Sequence, residues 1–324
     1  MKYYIGVDGG GTKTAISAAS ADSSVILTGL TGSASWREYG INHVIKDIKK
    51  TIETFPLGPD ASIAGITMGL PCYGESGEGD RELESEARMA FPGIPLYLTN
   101  DVEVGWAGSL GLTPGVSVVA GTGSIAFGKN EAGKTVRCGG WSEFFSDEGS
   151  CYWVGRKIIE LFSKQADGRI PKDELYEIVR NEFKLNNDLE LIDIIHSDYM
   201  TNRDKTASLQ VIARVAARSG SESAKRLYKE AAAELCLLVA SISDRLQFTQ
   251  LPFPVSYSGG LYRAQELILP HFFAGVEDLG GKPVTPKFEP MYGALLLAFE
   301  KNHPEGLKSL QKQLEEKHYG INLH

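Results

Sequence analysis

Apolar positions along the first third of the chain fall mainly in short β-type runs. Tyr3 to Val7 reads as a strand. Thr14 to Ala19 and Val25 to Leu30 alternate small and apolar residues around Ala21-Asp22-Ser23-Ser24, a hairpin signal. The period then changes. From Gly40 to Phe55, Ile41, Val44, Ile45, Ile48 and Ile52 recur at helical spacing and predict one apolar stripe. Ile63 to Leu70 is a buried strand stopped by Pro71. Leu96 to Thr99 is a further strand ending at Asn100-Asp101, and a helix follows from Val102 to Leu110.

A second block starts like the first. Val116 to Ala120 is a strand, Gly121-Thr122-Gly123-Ser124 a loop, and Ile125 to Gly128 a returning strand; Gly133 turns the chain and Val136 begins a third strand. Strand, Gly/Thr loop and returning strand thus occur twice. Two copies indicate a diverged internal duplication and not a solenoid. Cys151 to about Phe248 is mainly helical. Trp153, Ile158, Ile159, Leu161 and Phe162 form one apolar face, and Ala224 to Leu246 is a long helix expected to be buried. Val255 to Tyr257 is a strand leading through Ser258-Gly259-Gly260 into a helix from Tyr262. Met291-Tyr292-Gly293-Ala294 opens an apolar helix whose small residues predict close packing. Pro304 to Lys317 is a charged amphipathic helix with a solvated face.

Composition sets the scale. A chain of 324 residues exceeds what one compact core usually serves, so two lobes are expected, 1–114 and 115–324, the second with a helical insertion over about 151–248. The net charge of -8, with no basic block, argues against a nucleic-acid or anionic-membrane footprint. No apolar run reaches the roughly 18–20 residues of a membrane span, and the N-terminal strand is too short for a signal peptide, so a cytoplasmic location is expected. Cys72, Cys138, Cys151 and Cys236 are widely spaced. They show neither zinc-site spacing nor a disulfide framework, and His196, His271 and His303 have no metal-site spacing.

Candidate chemistry concentrates in the loops. In Asp8-Gly9-Gly10-Gly11-Thr12-Lys13-Thr14, glycines let the backbone approach an oxyanion. Gly10, Gly11, Thr12 and Lys13 are the expected nucleotide contacts. Asp8 is suited to hold a hydrated Mg²⁺ bridging the phosphates of ATP. The bland reading is a tight hairpin turn after an acid. The loop is not a Walker A motif, since the Gly-Lys-Ser/Thr ending is missing, and it enters a strand where the Rossmann pattern needs a helix. Gly121, Thr122 and Gly123 repeat the chemistry, and two such loops can hold a triphosphate from both sides. Asp101 lies between them, at a strand end before a helix. It is either a general base for an attacking hydroxyl or, with Asn100, a helix N-cap. Cys138 to Ser150 is dense in unusual residues: Gly139 and Gly140 leave room beside the backbone, Trp141 offers a flat apolar face, and Asp147 and Glu148 can accept hydrogen bonds from hydroxyls. The alternative is a loop with a core tryptophan. Gly259 and Gly260 can let an adenine and ribose lie on the backbone, or are an ordinary strand–helix turn.

Together, Asp8 to Thr14, Asn100-Asp101, Gly121 to Ser124, Gly139 to Ser150 and Ser258 to Leu261 resemble the N-acetylglucosamine kinase branch of the BadF/BadG/BcrA/BcrD ATPase family, within the actin and sugar-kinase superfamily. The resemblance implies a two-lobed α/β actin-like ATPase fold, duplicated ribonuclease-H-like domains with a cleft between them. It implies that Asp101 takes the proton from the sugar 6-hydroxyl. Gly140, Trp141, Ser142 and Asp147 would line the sugar site with Ser124 and Ile125 close by, and Thr12 and Thr122 would contact phosphates. ATP and Mg²⁺ are the implied cofactors and an amino sugar the partner; the oligomeric state stays open, a homodimer among the options. One departure stands out. Related kinases often carry a sugar-contacting Asn after the first hairpin, and Gly32-Ser33-Ala34-Ser35-Trp36 has none. The smaller residues leave room for N-acetylmuramic acid as a second substrate. Glucosamine kinase and an activator ATPase carrying an iron–sulfur cluster are the alternative functions, and a sugar-sensing regulator a third.

Overall fold

The strand at Tyr3 becomes the centre of a sheet because both of its faces are apolar. In the computed structural model, which describes residues 1–317, β1 (Lys2–Gly9), β2 (Thr14–Ser20) and β3 (Ile26–Thr31) form an antiparallel meander. Then come α1 (Trp36–Tyr39), α2 (Ile41–Glu53), β4 (Ser62–Leu70), α3 (Gly77–Ala90), β5 (Leu96–Asn100) and α4 (Asp101–Leu110). β4 pairs parallel with β1 and β5 parallel with β4, giving the order β3-β2-β1-β4-β5. Ile5 and Val7 pack under the α2 stripe of Ile41, Val44, Ile45, Ile48 and Ile52, while Tyr4 points into a second cluster. Each such side chain contributes about 1.5–3 kcal/mol on burial.

The second unit, Pro114–Val284, repeats this plan. β6 (Gly115–Ala120), β7 (Ser124–Lys129) and β8 (Thr135–Gly139) are another antiparallel meander. An all-helical stretch follows: α5 (Cys151–Ala166), α6 (Glu174–Glu182), α7 (Glu190–Ile194) running on through a π-helical turn, α8 (Arg203–Ser208), α9 (Gln210–Arg218) and α10 (Glu222–Leu246). β9 (Phe253–Ser258), a 3₁₀ segment Gly260–Leu267, α11 (Leu269–Asp278) and β10 (Gly281–Val284) complete a sheet ordered β10-β9-β6-β7-β8. Read from its other edge, this is the first sheet's order strand for strand, so the duplication inferred from the two loops extends to the topology.

The last segment departs from expectation. The chain boundary near residue 114 has a counterpart at Thr113/Pro114, but residues 285–317, expected in the second lobe, group with the first unit. The reason is α12 (Pro290–Asn302), whose Gly293 lets its backbone touch α4: a Cβ there would lie 2.0 Å from the Val104 carbonyl oxygen and 2.3 Å from the Gly108 nitrogen. The Ser17 hydroxyl donates to the Met291 carbonyl at 2.8 Å, fixing the same helix to β2. A 3₁₀ turn, Pro304–Gly306, then leads to α13 (Leu307–Glu316), whose Leu310 and Leu314 are fully buried with α12 residues, so this helix is a packed element as well as a solvated face.

Three further differences have local causes. α3 shows no apolar stripe in the sequence, because only Leu83 and Ala87 of its residues are buried; the Ser76 hydroxyl caps its start by accepting from the Gly79 N–H. α10 is buried along one face and not all round, with Leu237 turned outward. After Ser258 the chain forms a 3₁₀ segment broken at Gln265, and the α-helix begins only at Leu269. Among the described residues, no helix is long and apolar enough to cross a membrane.

Candidate functional site

In the first unit, strand register gathers the acidic residues. Asp8 lies opposite Gly69 on β4, and Gly69 lies opposite Thr99 on β5. Asp8 and Asp101 therefore stand at the carboxyl ends of two parallel strands with β4 between them, where open α/β sheets place ligands. The Gly/Thr loop is a tight turn closed by the Gly10 N–H donating to the Lys13 carbonyl at 3.0 Å. Residues 33 and 34 brace it: the Ala34 N–H donates to the Gly10 carbonyl at 2.9 Å and the Ser33 hydroxyl to the Gly11 carbonyl at 2.7 Å. The Gly10 amide is thus used inside the turn. Gly11, Thr12 and Lys13 are exposed and can meet a ligand.

The structure separates the two roles open to Asn100 and Asp101. Asn100 is the cap, its Oδ1 accepting from the Val102 N–H at 3.2 Å while its Nδ2 donates to the Tyr73 carbonyl at 2.8 Å. Asp101 is the first residue of the helix, half-buried. Its charge reaches Asp8. Burial first, then the carboxylates of Asp101 and Glu289, push the Asp8 carboxyl from 3.8 up to about 7, with Lys13 pulling the other way. Glu289 precedes α12 and was not foreseen. It is far away in sequence and lies in the segment that joins this unit only through tertiary packing.

In the second unit the corresponding turn closes with the Gly121 N–H donating to the Gly123 carbonyl at 2.9 Å. The first amides of α5 hold it from below: Cys151 N–H donates to the Gly121 carbonyl at 2.9 Å and Tyr152 N–H to that of Thr122 at 3.2 Å. Gly259 has φ +111, and a Cβ on it would lie 2.4 Å from the Ala120 carbonyl oxygen, so only glycine lets the 258–260 loop sit against the Gly121 turn. Gly260 opens the 3₁₀ segment that follows. The Thr122 hydroxyl donates to Asp204 Oδ1 at 3.1 Å.

The Gly139–Ser150 segment brings several expected residues together. Gly140 packs on Ile125, and Trp141 is 76% exposed. Ser142 organises a turn, accepting at its hydroxyl from the Phe144 N–H. Ser124 is buried, its hydroxyl donating to the Glu148 carbonyl at 2.7 Å and its N–H to Asp147 Oδ1 at 3.1 Å. Asp147 is only 2% exposed and sits at φ 63, a conformation that is uncommon for a non-glycine residue. Its second oxygen accepts from Arg203 Nη2 at 2.5 Å. The expected picture of an acid open to hydroxyls thus changes: both Asp147 oxygens are engaged by the protein. Arg203 and Asp204 were missed because they are 56 and 82 positions from their partners and sit in a helical stretch without a local signal. The four cysteines are free thiols, and among the described residues no group of three or more His, Cys, Asp or Glu is arranged to hold a metal ion.

Two Gly/Thr turns, each at the first hairpin of a duplicated sheet, define a nucleotide-using protein of the sugar-kinase fold. The chain belongs to the BadF/BadG/BcrA/BcrD ATPase family, whose profile matches residues 5–298. It is 29% identical over 310 residues to the N-acetylmuramic acid/N-acetylglucosamine kinase of Clostridium acetobutylicum, covering 92% of this chain and 98% of that one. It is 28% identical over 323 residues to the N-acetyl-D-glucosamine kinase of Dictyostelium discoideum, covering 91% and 97%. A solved structure from Chromobacterium violaceum, assigned as a candidate N-acetylglucosamine kinase, superposes with a TM-score of 0.70 at 27% identity, covering 92% of this chain and 99% of that one.

Proposed function

We propose that this protein transfers the γ-phosphoryl group of ATP to the 6-hydroxyl of an N-acetylhexosamine. The observation that carries the reading is the placement of Asp8 and Asp101 at strand ends of one sheet, with only β4 between their strands and close enough for one carboxylate to raise the pKa of the other. The names of full-length relatives support the amino-sugar acceptor.

The chemistry divides among residues as follows. Asp101 accepts the proton of the 6-hydroxyl as that oxygen bonds to the γ-phosphorus and ADP leaves with the former bridging oxygen. Thr12, Lys13 and the exposed amides of the first turn, with Thr122 and Gly123 of the second, bind phosphate oxygens. Gly259 and Gly260 border the nucleoside. Trp141 supplies an apolar face for the sugar ring, and Gly140, Ser142, Ser124 and Ile125 shape the pocket around it. Asp147 secures that pocket by tying Ser124 to Arg203. The donor set fits a hard divalent cation: a carboxyl held near neutrality by like charges is relieved when a cation arrives, and Mg²⁺ needs only one or two carboxylates besides phosphates and water. Mg²⁺, held by Asp8 together with phosphate oxygens, would neutralise charge on the transferring group.

A coupled assay with N-acetylglucosamine, N-acetylmannosamine, glucosamine and glucose, with the product located by phosphorus NMR, tests this. An N-acetylhexosamine 6-phosphate is the expected product. Acceptor-independent ATP hydrolysis with no sugar phosphate would overturn the reading in favour of an activator ATPase.

A further inference from the structure

The first turn of α4 carries a buried carboxylate that the chemistry above does not use. Glu103 is 9% exposed and stands two residues after Asp101. Positions i and i+2 of a helix do not face the same way, so Asp101 and Glu103 lie on different sides of α4. Glu103 reaches back to the strand that precedes the helix. Its Oε2 accepts from the Thr99 hydroxyl, and the Tyr97 hydroxyl donates to Oε2 at 3.0 Å and towards Oε1 at 3.3 Å. Tyr97 and Thr99 share one face of β5, since side chains alternate along a strand. Tyr97 is itself held from another element: the Lys301 ammonium of α12 lies 3.7 Å from its ring centroid. Burial, and then the charge of Glu103, push the Tyr97 hydroxyl up to about 12, so it stays a donor at neutral pH.

Other groups already stabilise this helix. Asn100 caps α4 through the Val102 N–H and ties the strand end to the Tyr73 carbonyl. The body of the helix is fixed by Val104, whose side chain a Cβ on Gly69 would meet at 2.5 Å and whose carbonyl lies against Gly293 of α12. Glu103 adds a second tie at the start of the helix. Withdrawing a carboxylate from water is costly unless hydrogen bonds replace the solvent. In return, hydrogen bonds to an ionised acceptor are stronger than neutral ones and fix a geometry more firmly. Here they span residues 97–103, and Asp101 sits inside that span.

We propose that Glu103 is a positioning residue for phosphoryl transfer: by clamping the first turn of α4 to Tyr97 and Thr99 of β5, it sets where Asp101 presents its carboxylate to the acceptor hydroxyl. The inference rests on the reading of Asp101 as the base. A general base works only within hydrogen-bond reach of the proton it takes, and a misplacement of about 1 Å can cost about 10²-fold in rate. The residues assigned above to the sugar and to the phosphates do not include Glu103, so binding should be spared.

The test is steady-state kinetics on the full-length chain, with folding checked by thermal melts. Glu103→Ala should lower kcat by about 10- to 100-fold. The KM values for N-acetylglucosamine and ATP should stay near those of the wild type. Glu103→Gln keeps the shape and an acceptor oxygen for Thr99, and should recover most of the rate. Glu103→Ala combined with Asp101→Asn should be no slower than Asp101→Asn alone, because both losses pass through one carboxylate. A role in stability alone would lower the melting temperature and leave kcat of the folded protein unmoved. If Glu103→Ala does not fold, Thr99→Val and Tyr97→Phe decide, each losing part of the rate with KM unchanged. Wild-type kcat in the folded alanine variant, or in both hydroxyl variants, overturns the proposal. So do a change in KM as large as that in kcat, a glutamine variant as slow as the alanine one, and losses that multiply in the double variant. Each of these results leaves the kinase reading standing, provided Asp101→Asn is itself slow. Near-normal turnover in Asp101→Asn would instead remove the base, and this inference with it.

Discussion

Replacing Asp8 with Asn should stabilise the ligand-free protein while destroying its activity. The carboxyl is raised from 3.8 to about 7 by burial and by the charges of Asp101 and Glu289. Each pH unit corresponds to about 1.4 kcal/mol, so the ionised folded state is disfavoured by about 4 kcal/mol. Partial contact of Asp8 with solvent trims this to about 2–4 kcal/mol. The sign follows from proton binding. Below 3.8 the folded and unfolded chains both hold the proton and nothing is lost. Between 3.8 and about 7 the unfolded chain has released it and the folded chain retains it, so stability falls as pH rises; above about 7 the loss is complete. Asn mimics the neutral acid at every pH. Thermal melts of wild type and Asp8→Asn from pH 5 to 9, without divalent cations, should therefore diverge with rising pH, the variant melting several degrees higher at pH 8. Groups other than those coupled to Asp8 titrate alike in both proteins and cancel in the difference. Asp101→Asn should make the divergence smaller and let it level off at a lower pH, by removing one of the two carboxylates that act on Asp8. Mg²⁺ with nucleotide should narrow the gap by stabilising only the wild type. A variant no more stable than wild type at pH 8, or a gap independent of pH, would refute the electrostatic account of this site.

Other expectations follow from the same geometry. Asp101→Asn should lower turnover by roughly 10²-fold or more while sugar binding, measured by calorimetry, changes little; near-normal turnover would remove Asp101 as the base. Since Asn100 carries the helix cap, this substitution should leave the melting behaviour of α4 intact, whereas Asn100→Ala should cost about 1 kcal/mol in denaturant unfolding. Trp141→Ala should raise the KM for the sugar more than that for ATP, with little change in stability because the ring is 76% exposed. Gly293→Ala should destabilise by about 1–3 kcal/mol or more, since its Cβ would meet the Val104 and Gly108 backbone; an unchanged denaturation midpoint would show that α12 moves away freely.

The sequence by itself determined the elements whose signal is local. The period of Ile41 to Ile52 specified α2, the alternation around Asp22 specified a hairpin, and the two Gly/Thr loops revealed the duplication that the two strand orders then repeat. Candidate acids at strand ends were legible for the same reason, since Asp8 and Asp101 each follow an apolar run that stops. Tertiary structure decided what depends on distant partners. α3 lacks an apolar stripe and is held by a cap and two buried side chains. The Pro290 helix joins the first unit because Gly293 permits backbone contact, which no periodicity reports. Asp147 read as an acid awaiting hydroxyls, yet a residue 56 positions onward closes it off. Hydrophobic period is written along the chain, residue by residue. Charge pairing is written across it, and only the folded backbone brings Glu289 towards Asp8 or Arg203 to Asp147.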